Sequence, residues 1–325
     1  MPELPAEKSP RPLRSFRHRS IDFHVYDSPE AMGTASAIHL VDRQVELAQH
    51  QETVGFLIMA APSGYPFYAA YAALAEASGP LQAALSRTHF FNFDEYPLPP
   101  AHPASFSYLL RKRFFSRLQT WLPPDNLHLL NPDCDDPEAH CREYARAVLD
   151  AGPDLQLKGM GENGHWGFHE PGIRLDGEPA YMRVALSEEN VVQQLRDHPD
   201  LFRDPDEVPR EAYTANVPLF LRTRRLIEDN VPQASKAFAL LAAYGSDVVH
   251  PALPSSALKR HAGAVVRTTP EASWALEEYI SRDCISKQSL DRMLIALTAG
   301  AVARAARDRE RVMRVLRTME IAIEA

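Results

Sequence analysis

Val54-Gly-Phe-Leu-Ile-Met-Ala60, followed by Ala61-Pro-Ser-Gly-Tyr-Pro66, is the stretch that decides the fold. The first run is continuously apolar, as a strand covered on both faces of a parallel sheet must be. The second is a turn rich in proline and glycine, and the residues after it predict a helix through Ala77. Strand, tight turn and helix make a βα unit whose turn lies at the carboxyl end of the strand. Open α/β sheets bind their ligands there.

The alternation recurs on both sides. Upstream, Phe23-His-Val-Tyr26 alternates like a short strand. Ser28-Pro29-Glu30 then starts a helix that runs to about His50, with serine as cap and proline at the first position. Downstream, Thr88 to Phe93 reads as a strand ending at Asp94-Glu95-Tyr96, and Ser105 to Leu118 as a helix. Asn126 to Leu130 is a strand, Asp136 to Leu149 a helix, and Asp154-Leu-Gln-Leu-Lys158 a further strand. This repetition predicts a Rossmann-like, doubly wound α/β fold: a mainly parallel sheet with helices on both faces.

Beyond it, Tyr181 to Leu186 reads as a strand, Glu188 to Arg196 as a helix, Ser235 to Tyr244 as a helix and Ala264 to Thr268 as a last strand. Residues 199–232 are broken by prolines, and Arg224 to Val231 is too polar to read as a central strand. The resulting division is a disordered tail at 1–20, an α/β domain at 21–270 and a helical extension at 271–325. In that extension Val312, Leu316, Met319 and Ile323 recur at helical spacing opposite an arginine-rich face. It reads as a helix packed on the body or on a second copy in a homo-oligomer, or else as a basic membrane or partner helix.

Composition narrows the function. With 325 residues, 45% hydrophobic and 24% charged, the chain can bury a full core. A net charge of −8 argues against a general nucleic-acid binder, while a few local cations suffice for an anionic small substrate. Cys134, Cys141 and Cys284 fit neither a zinc pattern nor a disulfide framework, which points to a reducing cytoplasm. No apolar run reaches the roughly 18 residues of a membrane helix.

Residues 159–172 read Gly-Met-Gly-Glu-Asn-Gly-His-Trp-Gly-Phe-His-Glu-Pro-Gly. The spacing of Gly159, Gly161 and Gly164 matches a dinucleotide fingerprint, but that motif needs a long helix to open at the third glycine. Gly167, Pro171 and Gly172 follow too soon for it, so no nicotinamide site is expected. What remains is a turn with exposed N–H groups, carrying His165 and Glu170. A carboxylate beside an imidazole that titrates near neutrality suits acid–base work.

Together these motifs resemble the glucosamine-6-phosphate deaminase family, related to the 6-phosphogluconolactonases. Phe91-Asn-Phe-Asp-Glu-Tyr96, then His102-Pro-Ala-Ser105 with Tyr108, looks like its Asn-x-Asp-Glu-Tyr…His-Pro-x-Ser-Tyr signature. The glycine–histidine stretch is its second signature, and Ala234-Ser-Lys236-Ala237 followed by Pro254-Ser-Ser-Ala-Leu-x-x-His261 is similar to its third. The resemblance covers roughly residues 23–270. It implies conversion of an amino-sugar phosphate to a ketose phosphate and ammonia, with no organic cofactor and no catalytic metal. Asp94 would be the base moving the C2 proton to C1, and His165 would assist ring opening with Glu170 as its partner. Lys236 would hold the phosphate, joined by Arg196 and by Ser63 and Gly64 of the phosphate loop.

Several positions depart from the family's pattern. Asn163 stands where the family has an aspartate that orients the histidine. The phosphate loop appears as Pro62-Ser-Gly-Tyr-Pro66, with Tyr65 bulky. His169 replaces the asparagine before the glutamate, and Tyr213 to Phe220 replaces a glycine-rich strand. Met182 and Val184 stand where regulated members carry basic allosteric ligands, so that regulation is not expected. Two other readings stay open: a non-catalytic sugar-phosphate sensor on the same fold, and a 6-phosphogluconolactonase-like hydrolase.

Overall fold

The protein is described by a computed structural model covering residues 9–298, Met313 and 321–325. The strands β1 (Arg14–His18) and β2 (Ile21–Val25) precede α1 (Pro29–His50), β3 (Val54–Ile58), α2 (Tyr65–Ala77) and α3 (Gly79–Leu85). Next come β4 (Thr88–Asn92), β5 (Asp94–Glu95), α4 (Phe106–Arg113), β6 (Leu127–His128), α5 (Pro137–Ala151) and β7 (Pro153–Lys158). The remainder is β8 (Tyr181–Ala185), α6 (Glu188–Asp197), β9 (Glu211–Ala215), α7 (Val217–Phe220), β10 (Leu226–Val231), α8 (Ala237–Tyr244), β11 (Ala264–Thr268), α9 (Pro270–Arg282) and α10 (Lys287–Thr298).

Eight strands form one sheet in the order β1-β2-β11-β10-β7-β3-β4-β6, parallel except for the β1–β2 pair. From the central pair β3 and β7 the chain winds outward both ways, through β4 and β6 on one side and through β10 and β11 on the other. The switch point, where a crevice must open, therefore lies at the carboxyl ends of β3 and β7. The expected caps are present: the Ser28 hydroxyl accepts from the Ala31 N–H at 3.2 Å, with Pro29 at the first helical position. A second, antiparallel sheet in the order β5-β9-β8 was not anticipated as a unit. It pairs Asp94 with Thr214 and so fixes the strand that carries Asp94.

Three expectations need correction. Residues 14–18, placed in a disordered tail, form β1, whose backbone pairs with β2 from Arg14–Val25 to His18–Ile21. Val312, Leu316 and Met319 lie outside the described residues, but Ile323 is not helical: it forms a parallel bridge with Ile285. The segment judged too polar for a central strand is β10, buried at every position between β7 and β11.

Its charges are tolerated because each is matched from a neighbouring element. On the α1 face, Glu228 accepts from Arg267 at 2.7 and 2.9 Å and meets His39 Nδ1 at 2.5 Å. On the opposite face, Asp229 meets Lys158 of β7 at 2.7 Å and accepts from the Tyr244 hydroxyl of α8. Helices therefore cover both faces. Burial alone would raise the Glu228 pKa, but Arg267 and His39 hold it down to about 2. A carboxylate depressed in the fold adds stability above its unfolded pKa and loses it as pH falls. The window runs from about pH 4.5 down to pH 2. Glu228→Gln, which strands Arg267, is expected to cost about 3–5 kcal/mol in urea denaturation at pH 7. That deficit relative to wild type shrinks as pH falls through the window.

Candidate active site

The crevice at the switch point is lined from four directions. Ser63 enters from the turn after β3, Asp94 from β5, His165 from the loop after β7, and Lys236 from the turn before α8. Residues that sequence reading drew from separate motifs thus share one cleft. Phe106 and Phe168 stack on each other at 5.4 Å and form an apolar wall.

Asp94 is 6% exposed, and burial followed by the charge of Glu95 raises its pKa well above the carboxylate range. Glu95 does different work. Its carboxylate accepts from the N–H groups of Tyr96, Phe106 and Ser107 and from the Ser105 hydroxyl, at 2.7–2.9 Å. It thereby anchors the amino end of α4 and sets Phe106 in the wall, which leaves Asp94 as the member of the Asp94-Glu95 pair that faces the cleft.

His165 sits in a loop that only glycine allows. Gly164 and Gly167 have φ of +83° and +59°, the left-handed region. A Cβ on Gly161 would stand 2.2 Å from the imidazole, so the ring packs flat on bare backbone. Burial, then Lys236 and Lys158, push the imidazole pKa down to about 3. The ring is neutral at physiological pH and able to accept a proton. Its Nδ1 is buried without a hydrogen-bond partner among the described residues.

Glu170 is not the partner of that ring, contrary to expectation. Its Oε2 accepts from the Asn163 amide at 2.9 Å, and its Oε1 from Asn190 at 2.5 Å and from the Ser187 N–H at 3.4 Å. Asn163 in turn accepts the His165 backbone N–H at 3.1 Å. A carboxylate can only accept and an N–H can only donate, so both partners fix the Asn163 amide in one orientation. Asn163 and Glu170 shape the loop rather than tune the imidazole directly. His169 has a similar duty: its Nδ1 accepts from the Val217 N–H at 3.1 Å, and its Nε2 meets the Ile173 carbonyl at 3.3 Å.

Lys236 is 3% exposed, and its ammonium has no hydrogen-bond or ion-pair partner among the described residues. Arg196, expected beside it, does not line the cleft: it is exposed and paired with Glu162. The helix turns its polar side inward instead, with Gln193, Gln194 and Asp197 on the cleft. Asn190, Gln193, Gln194 and Asp197 follow the helical period, which was the available signal for this wall. Gly64 does not line the cleft but packs on Tyr68, where a Cβ would come within 2.9 Å of its ring. Tyr65 lies under the Arg113 guanidinium at 4.3 Å and is not a lining residue. Among the described residues no group of three or more His, Cys, Asp or Glu is placed to hold a metal, and no helix is long and apolar enough to cross a membrane.

Comparison with known proteins gives the same direction. The profile of a family described as glucosamine-6-phosphate isomerases/6-phosphogluconolactonase matches residues 27–167. The glucosamine-6-phosphate deaminase of Halothermothrix orenii is 35% identical over 159 residues, which span 48% of this chain and 63% of that relative, just under two thirds of its length. The glucosamine-6-phosphate deaminase of Shouchella clausii is 32% identical over 209 residues, covering 63% of this chain and 79% of the relative. A solved structure of a monomeric glucosamine-6-phosphate deaminase, 26% identical, superposes with a TM-score of 0.68 over 78% of this chain and 98% of that one.

Proposed function

Because the chain belongs to the glucosamine-6-phosphate isomerase/6-phosphogluconolactonase family, we propose that it converts glucosamine 6-phosphate, or a closely related amino-sugar phosphate, to fructose 6-phosphate and ammonia. The observation that carries this reading is the meeting of Asp94, His165, Lys236 and Ser63 in one cleft. The phosphate lies on Lys236 and the Ser63 turn at the amino end of α2, where the helix dipole favours an anion. The neutral His165 imidazole takes the proton of the C1 hydroxyl and returns one to the ring oxygen, opening the sugar. Asp94 removes the C2 proton and delivers it to C1. Loss of the C2 proton leaves an enolamine, its delivery to C1 turns that into the C2 imine, water then adds at C2 and ammonia leaves. A cytoplasmic location suits this chemistry.

Incubating the pure protein with glucosamine 6-phosphate and following both products tests the proposal; absence of turnover and of any hexose-phosphate binding sinks it. Binding without turnover identifies a sensor, and hydrolysis of a phosphogluconolactone identifies a lactonase. Asp94 favours the isomerase, since lactone hydrolysis needs no proton carrier between C2 and C1.

Lys236 and Arg196 separate under mutation. Lys236→Ala is expected to raise KM about 30-fold or more, the worth of a charge-assisted contact to a dianion. Arg196→Ala removes a half-buried pair with Glu162 that does not line the cleft, and is expected to change KM less than about threefold. Steady-state kinetics on both variants check the assignment. Equal losses would place Arg196 on the substrate.

A further inference from the structure

Lys158 is fully buried, at the end of β7 and one residue before the site loop. It stands in register with Asp229 of β10, and their charges meet at 2.7 Å. The Tyr244 hydroxyl donates to the same Asp229 oxygen, while the other, Oδ1, is buried with no hydrogen-bond partner among the described residues. The ammonium also lies 4.8 Å from the centre of the Trp166 ring and donates to the Ser255 hydroxyl at 3.5 Å. Ser255 completes a connection to the site: its hydroxyl donates to the His165 carbonyl at 3.0 Å, and its N–H donates to the Gly164 carbonyl at 2.9 Å.

Such a pair is an expensive way to fill the centre of a sheet. Removing two charges from water costs several kcal/mol per ion by order of magnitude, and apolar side chains of similar volume usually do as well or better. Stability therefore does not account for it, and its polar outlet through Ser255 leads to the backbone of the histidine loop.

We propose that Lys158 is a positioning residue for the reaction assigned above, holding Ser255 so that the Ser255 hydroxyl and N–H fix the His165 loop and aim the imidazole at the sugar. The Lys158 charge also assists burial and Lys236 in keeping that imidazole neutral. The inference rests on the proposed function only for its kinetic readout.

The test uses two variants of the full chain. Lys158→Met/Asp229→Leu/Tyr244→Phe replaces the network by apolar side chains and leaves no orphaned partner. Ser255→Ala cuts the connection and keeps the ion pair. Both are expected to melt near the wild-type temperature and to lose kcat about tenfold or more with KM within about twofold. The ¹⁵N signals of the His165 ring, assigned by loss in His165→Gln, should move in both variants. Unchanged kcat and unchanged ring signals in a stably folded variant would overturn the proposal, leaving the network a structural filler. If the triple variant does not fold, Ser255→Ala decides. If the wild-type protein turns over no amino-sugar phosphate, the functional reading fails, and the His165 ring signals decide this inference alone.

Discussion

Asp94→Asn is expected to abolish turnover of glucosamine 6-phosphate, by about 10³-fold or more in kcat, while leaving the fold at least as stable. The amide matches the carboxylate in shape, so contacts along β5 and the pairing with Thr214 survive. What the proposed reaction loses is a group able to accept the C2 proton and return it to C1. Stability should move the other way. Burial and Glu95 raise the Asp94 pKa in the fold, so above that pKa the ionised carboxylate penalises the folded state relative to the unfolded one. The asparagine carries no such penalty, and its melting temperature at pH 8 should equal or exceed that of the wild type. The same shift predicts the pH profile of the wild-type enzyme. A base must be ionised in the free enzyme, so kcat/KM should rise with pH through an apparent pKa above the ordinary carboxylate range. A variant keeping more than a tenth of the activity would remove Asp94 from the chemistry.

The parts of the fold that sequence discloses are those whose cause is local. β3 is buried at every position, with α1 and α5 packed against it and no charge of its own to match, so its run is continuously apolar and easily read. α1 and α5 announce themselves by Ser28 and Asp136, each of which caps its own helix. β10 is equally central and could not be read, because what makes its charges tolerable comes from elsewhere: Arg267 from β11, Lys158 from β7, Tyr244 from α8. The edge strand β1 has mixed polarity and declares itself only through pairing with β2.

The site divides along the same line. Asp94, His165, Lys236 and Ser63 sit at strand ends or turns whose motifs carry them to the cleft. Arg196 does not, since one step around a helix decides whether a side chain faces the cleft, and Glu162 claims it from a neighbouring loop. Glu170 departs from expectation for a related reason. Proximity in sequence to His165 suggested a pair, but Asn190 from α6 and Asn163 occupy the carboxylate first.

That arrangement makes Asn163→Asp, the residue that the resemblance leads one to expect there, an expected loss in this chain. The Asn163 amide nitrogen donates to Glu170 at 2.9 Å and to the Ser187 hydroxyl at 3.1 Å. An aspartate would set an oxygen there, and two carboxylates at such a distance cannot both ionise. Burial already raises the Glu170 pKa against the pull of its donors, of which Asn163 is one. Taking that donor away and adding a like charge raises the pKa of the pair further. A carboxyl pair whose folded pKa lies above its unfolded value favours folding below the unfolded pKa, and that advantage is lost as pH rises through the folded value. Asn163→Asp should therefore melt close to wild type near pH 4.5 and fall progressively behind it toward pH 8. There the cost is expected to be about 3 kcal/mol, the scale of an unsatisfied buried charged group. Turnover should fall with it, since the Asn163 oxygen that receives the His165 N–H belongs to the displaced group. Thermal melts at pH 4.5, 6 and 8, with kcat at the upper two, make the measurement. A variant as stable as wild type at pH 8 and more active would show that an aspartate can orient the imidazole here, and that the Asn163–Glu170 bond is dispensable.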